Sequence, residues 1–169
     1  MEMITTQAGE QQIIYEGAHT IVKRQLYEEA PSQIIKSPQH IPTIYDISRY
    51  KNEFKLLQKI KSPYIVQVVD LIVEENRLEL ILQDDHAISL QKYMQKNHLT
   101  LHEKLHIMIQ MTNAIAKIHQ HKIIYKDVNP SNFIILPNTK QLKIIDFGIA
   151  SELLQQSQQN VSTTILEGR

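Results

Sequence analysis

The chain has no cysteine among its 169 residues. That excludes a disulfide framework and any thiol chemistry. An excess of one charge is also missing, since 18 Lys and Arg balance 18 Asp and Glu. A dedicated nucleic-acid binder would show a basic surplus. No stretch approaches the roughly 18 consecutive apolar residues of a membrane span. The start, Met1-Glu2-Met3-Ile4-Thr5-Thr6, lacks a basic region followed by an apolar run, so no secretory signal is read there. The expectation is a soluble cytoplasmic protein without nucleic-acid or membrane partners. Glycine is scarce, with four residues. Isoleucine and glutamine are abundant, and the length suffices for one domain with a real core.

What is present reads as two halves. Residues 1–9 form a polar tail. Two β-rich runs, 11–15 and 20–27, flank a turn at Glu16-Gly17-Ala18-His19, and a third follows at 33–36 before Ser37-Pro38. Ile47, Tyr50, Phe54 and Leu57 step at helical spacing, which predicts a helix over 45–61 that Ser62-Pro63 ends. Residues 64–74 and 77–83 read as a hairpin around Glu75-Asn76. The second half is mainly helical. A short helix is expected over 87–97. A capping box at Thr100 and Glu103 opens a long one to about His121, with Leu101, Leu105, Met108, Ile115 and Ile118 on its buried side. Short strands follow, and residues 151–169, rich in Gln, Ser and Thr, are expected to be mobile. The fold class expected is α+β.

Two stretches carry the chemistry. The first is Ile124-Tyr125-Lys126-Asp127-Val128-Asn129-Pro130-Ser131-Asn132. The second is Gln141-Leu142-Lys143-Ile144-Ile145-Asp146-Phe147-Gly148-Ile149-Ala150-Ser151. Each is weak alone. An Asp at the end of a buried strand, followed by Phe and Gly, suits a hard-cation ligand, or is simply a turn. An Asn can give a metal its amide oxygen, or cap a turn. Lys36 alone reads as an ordinary strand-end lysine. Glu53, on the apolar side of its helix with Tyr50 and Leu57, needs a cation, and Lys36 is the obvious partner.

Together and in order, these stretches resemble the catalytic loop and Asp-Phe-Gly turn of eukaryotic-like Ser/Thr protein kinases. More narrowly, they look like the kinase-like domain heading large bacterial signalling proteins that carry ATPase, sensor and histidine-kinase modules downstream. The resemblance covers roughly residues 10–165. It implies a bilobal fold with a small antiparallel β lobe at 10–83, a partial helical lobe at 84–150 and the start of an activation segment at 151–169. It implies Mg·ATP as cofactor and a protein Ser/Thr hydroxyl as acceptor. Asp127 would be the catalytic base, Asn132 and Asp146 the Mg2+ ligands, and Lys36, paired with Glu53, the phosphate-gripping lysine. Gly17 would belong to the phosphate loop. Val22 and Ile34 would roof the adenine, Leu82 would be the gatekeeper, and backbone groups of Gln83, Asp84 and Asp85 would bond the base. Leu57, Val68, Tyr125 and Phe147 would stack as an apolar spine between the lobes.

The sequence also departs from that pattern. Gly17 is the one glycine of the phosphate loop, with Tyr15 and Thr20 in the other glycine places. Ile34 replaces a small residue, Tyr125 a His, Lys126 an Arg and Asn129 a Lys. No Ala-Pro-Glu motif or later helices follow, although Leu166-Glu167-Gly168 resembles the approach to it. The expectation is therefore a truncated kinase domain. Three alternatives stand beside it: a nucleotide-binding pseudokinase-like module, a small-molecule phosphotransferase, and a gene fragment without function. His98, His102 and His106 repeat every fourth residue. No carboxylate or thiol completes a metal shell there, and a solvated face is the better reading.

Overall fold

The structure is a computed structural model that describes residues 8–153. A five-stranded antiparallel sheet forms the first half, in the order β1-β2-β3-β5-β4. Its strands are β1 (Ala8–Glu16), β2 (Thr20–Tyr27), β3 (Gln33–Pro38), β4 (Val68–Glu74) and β5 (Arg77–Gln83). Helix α1 (Ile44–Lys59) crosses between β3 and β4. In β5 the alternation of Leu78, Leu80 and Leu82 with exposed or half-exposed neighbours buries one face, as a period of two requires. Thr43 and Asp46 close the start of α1 as a capping box, one residue ahead of the expected start.

The second half holds β6 (Ile88–Ser89), α2 (Leu90–Lys96), α3 (Leu101–Gln120), β7 (Ile123–Ile124), β8 (Phe133–Ile135), β9 (Leu142–Ile144) and β10 (Ser151–Glu152). One small sheet runs β6-β8-β9, and β10 pairs with β7. This is the α+β arrangement expected: an antiparallel sheet with one helix, joined to a mainly helical part.

One apolar core runs through both halves. Leu56 and Leu57 of α1 and Ile60 just after it pack into the same buried cluster as Leu80, Ile118, Phe133, Ile144 and Phe147. A strap joins the halves on one side. The Ile144 N–H donates to Tyr64 O at 2.8 Å, and the Val66 N–H donates to Ile144 O at 3.1 Å.

Five expectations need correction. The polar tail is shorter, because Ala8–Glu10 already belong to β1; residues 1–7 lie outside the described residues. The strand expected from residue 64 begins at Val68, because 64–66 leave the sheet to bond β9. The helix expected over 87–97 is shortened to Leu90–Lys96, because Ile88 and Ser89 pair with β8.

The buried face of α3 is Ile107, Gln110, Ala114 and Ile118. Leu101, Leu105 and Met108, expected inside, are 73%, 50% and 60% exposed. Spacing identified an apolar stripe, but β7 and β9 pack against a neighbouring stripe. Gln110 is buried there because it is satisfied. Its amide donates to Lys140 O and its carbonyl accepts from Leu142 N–H, both at 2.9 Å.

The expected mobile segment begins with order. Ser151 and Glu152 pair with Ile124 and Ile123, and Glu152 meets Lys59 at 2.5 Å and Lys55 at 3.4 Å. Residues 154–169, including Leu166-Glu167-Gly168, lie outside the described residues.

Candidate active site

Strand pairing sets one face of the candidate site. Val22 lies opposite Lys36, Ile34 opposite Leu82, and Lys36 opposite Leu80. Cross-strand partners and every second residue share a face, so Val22, Ile34, Lys36 and Leu82 lie on one side of the sheet. Gly17 sits in the tight turn before β2, where its N–H donates to Thr20 O at 2.9 Å. The Tyr15 ring folds across it, leaving 2.9 Å between that ring and a Cβ built at Gly17. The turn is tied down further. Gln39 N–H donates to His19 O at 3.2 Å, and the Gln39 amide donates to Glu16 at 3.1 Å.

Lys36 and Glu53 form a buried pair. The ammonium donates to both carboxylate oxygens, at 3.1 and 2.9 Å. A second carboxylate, Asp146, meets the same ammonium at 2.9 Å. Burial pulls the Lys36 pKa down, but the two carboxylates more than offset this and the net direction is upward. Burial pushes Glu53 upward, and Asp146 adds like-charge repulsion that Lys36 only partly offsets. Burial acts on Asp146 in the same sense, yet Lys36, the Gly148 N–H and Arg49 hold it below the ordinary 3.8. The cluster thus sets two carboxylates against one ammonium. Asp146 is its ionised, partly open member, and Glu53 is the member closed away from water.

The turn around Asp146 is built for this contact. Asp146 has φ 62, a left-handed conformation that a non-glycine residue rarely adopts. It brings Oδ1 within 3.1 Å of the Gly148 N–H. A Cβ at 148 would lie 2.9 Å from an Arg49 nitrogen and 3.1 Å from Asp146 Oδ1, so the end of the Arg49 side chain would have to shift to admit one. The Phe147 N–H donates to Glu53 Oε1 at 3.2 Å, which joins this turn to α1. The Phe147 ring meets Tyr125 edge-on at 5.2 Å. Leu57 shares that core, and Val68 packs partly buried against it. The Tyr125 hydroxyl donates to Ile145 O at 2.5 Å. Burial, and then the carboxylates of Asp146, Asp127 and Glu53, push the Tyr125 phenol upward. Tyr125 therefore stays a neutral donor and ties the loop before Asp127 to the strand before Asp146.

Asp127 and Asn132 are adjacent. The Asn132 amide nitrogen donates to Asp127 Oδ2 at 2.8 Å and to Asp127 O at 3.1 Å. Both partners are acceptors, so the NH2 end of Asn132 must face them and its carbonyl oxygen is left for another ligand. That oxygen and the Asp146 carboxylate are hard donors of the kind magnesium takes.

Gln83 ends β5, and Asp84 and Asp85 follow it between the two halves. The Gln83 N–H donates to Gln67 O at 2.9 Å, so that amide is already committed. The Asp84 side chain faces the first half. Arg24 approaches it at 2.5 and 3.2 Å, Ser32 at 2.7 Å and the His86 N–H at 2.9 Å. Asp85 faces the second half and accepts from Lys143 of β9 at 2.6 Å. The connection is thus anchored to both halves by ion pairs. Composition gave no hint of them, because each partner is distant in sequence.

These bonds predict an acid response. Burial raises the Asp84 pKa, but its donors outweigh this and hold it below 3.8. A depressed carboxylate stabilises the fold above its unfolded pKa, and this is lost as pH falls through the folded value. The contribution of Asp84 to the urea midpoint is expected to be level above about pH 5 and to drop below about pH 4. Asp84→Asn should lower the plateau and shrink the drop. An unchanged plateau would mean that this anchor contributes nothing to stability.

The histidines take no metal-site arrangement. His102 and His106 line a cavity of about 290 Å³ behind α3 with Tyr93, Leu99 and Lys140, and none of Lys36, Glu53 and Asp146 lines it. Among the described residues no group of three or more His, Cys, Asp or Glu side chains is placed to hold a metal ion. Among the same residues, no helix is long and apolar enough to cross a membrane.

Comparison with known proteins points in one direction. Residues 19–166 match the protein kinase domain family. Serine/threonine-protein kinase PrkC of Bacillus subtilis (strain 168) is 33% identical over 109 residues, covering 63% of this chain and 16% of that protein. Serine/threonine-protein kinase PLK4 of Drosophila sechellia is 28% identical over 119 residues, covering 68% of this chain and 15% of that protein. A probable myosin light chain kinase of Dictyostelium discoideum is 25% identical over 141 residues, covering 79% and 36%. The chain therefore spans only a minor part of the length of the relatives it matches.

Proposed function

The chain belongs to the protein kinase domain family, and from that premise we propose that it binds Mg·ATP and transfers the γ-phosphate to a serine or threonine hydroxyl of a protein. The observation that carries this is the Lys36–Glu53–Asp146 cluster, with Lys36 Nζ 2.9 Å from both Glu53 Oε2 and Asp146 Oδ1. It holds a cation and an ionised carboxylate, and the Ile145 N–H, which donates to Asn132 O at 2.9 Å, ties the Asp146 turn to the loop that carries Asp127 and Asn132. Phosphoryl transfer depends on such positioning and charge neutralisation more than on covalent chemistry by the protein.

In this reading Lys36 grips the α- and β-phosphates and Glu53 keeps its ammonium aimed at them. Val22, Ile34 and Leu82 enclose the adenine, backbone groups of 83–85 bond it, and Gly17 lies over the phosphates. Magnesium would be held by the Asn132 carbonyl and the Asp146 carboxylate, and when bound it neutralises phosphate charge. Asp127 accepts the proton of the acceptor hydroxyl as its oxygen bonds to the γ-phosphorus. The bond from that phosphorus to the β–γ bridging oxygen breaks, and ADP leaves with the electron pair.

We read 10–83 as the small lobe, 84–150 as part of the large lobe, and residue 151 onward as the start of the activation segment. The likeness of 124–132 and 141–151 to the head of large bacterial signalling proteins supports a longer cytoplasmic parent with ATPase and histidine-kinase modules. A second reading is a module that binds nucleotide and signals by shape. It is favoured by the single loop glycine under the Tyr15 ring and by Asn129 in place of a lysine.

Thermal unfolding with and without Mg·ATP, beside an Asp146→Asn control, tests nucleotide binding. At a ligand concentration of about 100 Kd, binding adds about 2.7 kcal/mol of stability. A magnesium-dependent rise in the wild type, lost in the control, is the expected result. No rise in the wild type sinks the nucleotide-binding reading. A rise without phosphate transfer to protein selects the second reading.

A further inference from the structure

Asn129 stands where the resemblance places a lysine, and it does something a lysine cannot. Its carbonyl oxygen accepts the Ser131 N–H at 3.0 Å and also the Ser131 hydroxyl. Only an acceptor can take a backbone N–H, so this end of the amide is fixed as oxygen. The other end is then NH2, and it donates to Asp127 Oδ1 at 2.8 Å. Flipping the amide would set donor against donor at Ser131 and acceptor against acceptor at Asp127. Asn129 also caps the 3-10 turn Pro130–Asn132, with the Pro130 ring limiting the backbone that follows it.

The Asp127 carboxylate is therefore held from both sides. Asn129 donates to Oδ1 and Asn132 to Oδ2, each at 2.8 Å. A carboxylate oxygen has two lone pairs, so one on each oxygen stays open for a hydroxyl proton. A lysine would bring charge to the transferring phosphate but could not accept from Ser131. Asparagine exchanges that charge for orientation.

We propose that Asn129 is a positioning residue, locked by Ser131, whose amide orients the Asp127 carboxylate for proton transfer. This rests on the phosphotransfer reading above. Its effect belongs in turnover rather than in nucleotide affinity, because its neutral amide is engaged by Asp127 and Ser131. Losing the alignment of a proton acceptor lowers turnover by about 10- to 100-fold.

The test uses the full 169-residue chain with Mg·ATP and dephosphorylated casein as acceptor, and compares Asn129→Ala, Asn129→Asp and Asn129→Lys. Aspartate is itself a good N-cap and still accepts from Ser131, but it cannot donate to Asp127. If Asn129 positions Asp127, Asp and Ala both lose about 10- to 100-fold in kcat with the KM for Mg·ATP little changed, and Lys retains most of the turnover. If Asn129 is only a cap, Asp behaves as wild type while Ala and Lys fall alike, and the proposal is overturned. Unchanged turnover in Asn129→Ala overturns it too. Should the wild type transfer no phosphate, the function proposed above fails, and NMR judges the positioning contact by itself. The Asn129 side-chain amide resonances are expected to move in Asp127→Ala, and resonances that stay in place refute the contact.

Discussion

Glu53→Ala is expected to lower the unfolding free energy by about 3 kcal/mol, the lower end of the range for breaking a buried ion pair. For a chain of this size that is a fall in Tm of roughly 6–12 °C. The reason is what the substitution leaves behind. The side chains of Lys36 and Glu53 are 9% and 2% exposed, so the ammonium cannot turn to water when its partner goes. The Phe147 N–H loses its acceptor at the same time. Asp146 remains as a partial counter-charge, and its 37% side-chain exposure places the loss at the lower end. The pair is costly to break but is not in itself a large source of stability. Lys36→Met combined with Glu53→Leu should therefore lose less than Glu53→Ala alone. Calorimetry of the wild type, both single variants and the double variant measures this. A double variant less stable than either single one would show that the pair adds net stability, contrary to this account.

Asp127→Asn is expected to reduce phosphate transfer by about 100-fold or more, within the range assigned to general acid–base catalysis. Stability and Mg·ATP binding should change little. Asp127 is exposed and its partners are the side-chain amides of Asn129 and Asn132, so an amide in its place loses one or two surface hydrogen bonds. What disappears, on the proposed mechanism, is the basic oxygen that would take the hydroxyl proton. Transfer of labelled γ-phosphate under saturating Mg·ATP reads the chemistry, and the ligand-dependent Tm reads the binding. Asp146→Asn provides the contrast, since it should lose the magnesium-dependent shift together with turnover. If Asp127→Asn turns over like the wild type, Asp127 is not the base.

Much of this site was legible because it is written in short, local strings. Asp127 to Asn132 and Asp146 to Gly148 each lie on one loop, and their order and spacing, read through the resemblance to protein kinases, marked which residues to examine. The Lys36–Glu53 pair was legible for a different reason. A carboxylate on the apolar side of a helix requires a cation, and one strand-end lysine was in place. The capping boxes at Thr43 and Thr100 are local hydrogen-bond patterns, although only the second was read from the sequence.

The rest depended on contacts between distant segments. Gln110 enters the core because Lys140 O and Leu142 N–H happen to face it, and no helical periodicity marks a polar residue for burial. The anchors Arg24–Asp84 and Lys143–Asp85 join residues 60 and 58 positions apart. Residues 64–66 read as strand but left the main sheet, because β9 offered them partners. The sequence by itself determined most element types, through short-range periodicity, and it marked the residues worth testing through their likeness to the protein kinase family. The tertiary structure alone decided which stripe of α3 is buried, where the carboxylates of Asp84 and Asp85 turn and which end of Asn129 faces Asp127. Those outcomes rest on long-range satisfaction of buried polar groups, which no local pattern encodes.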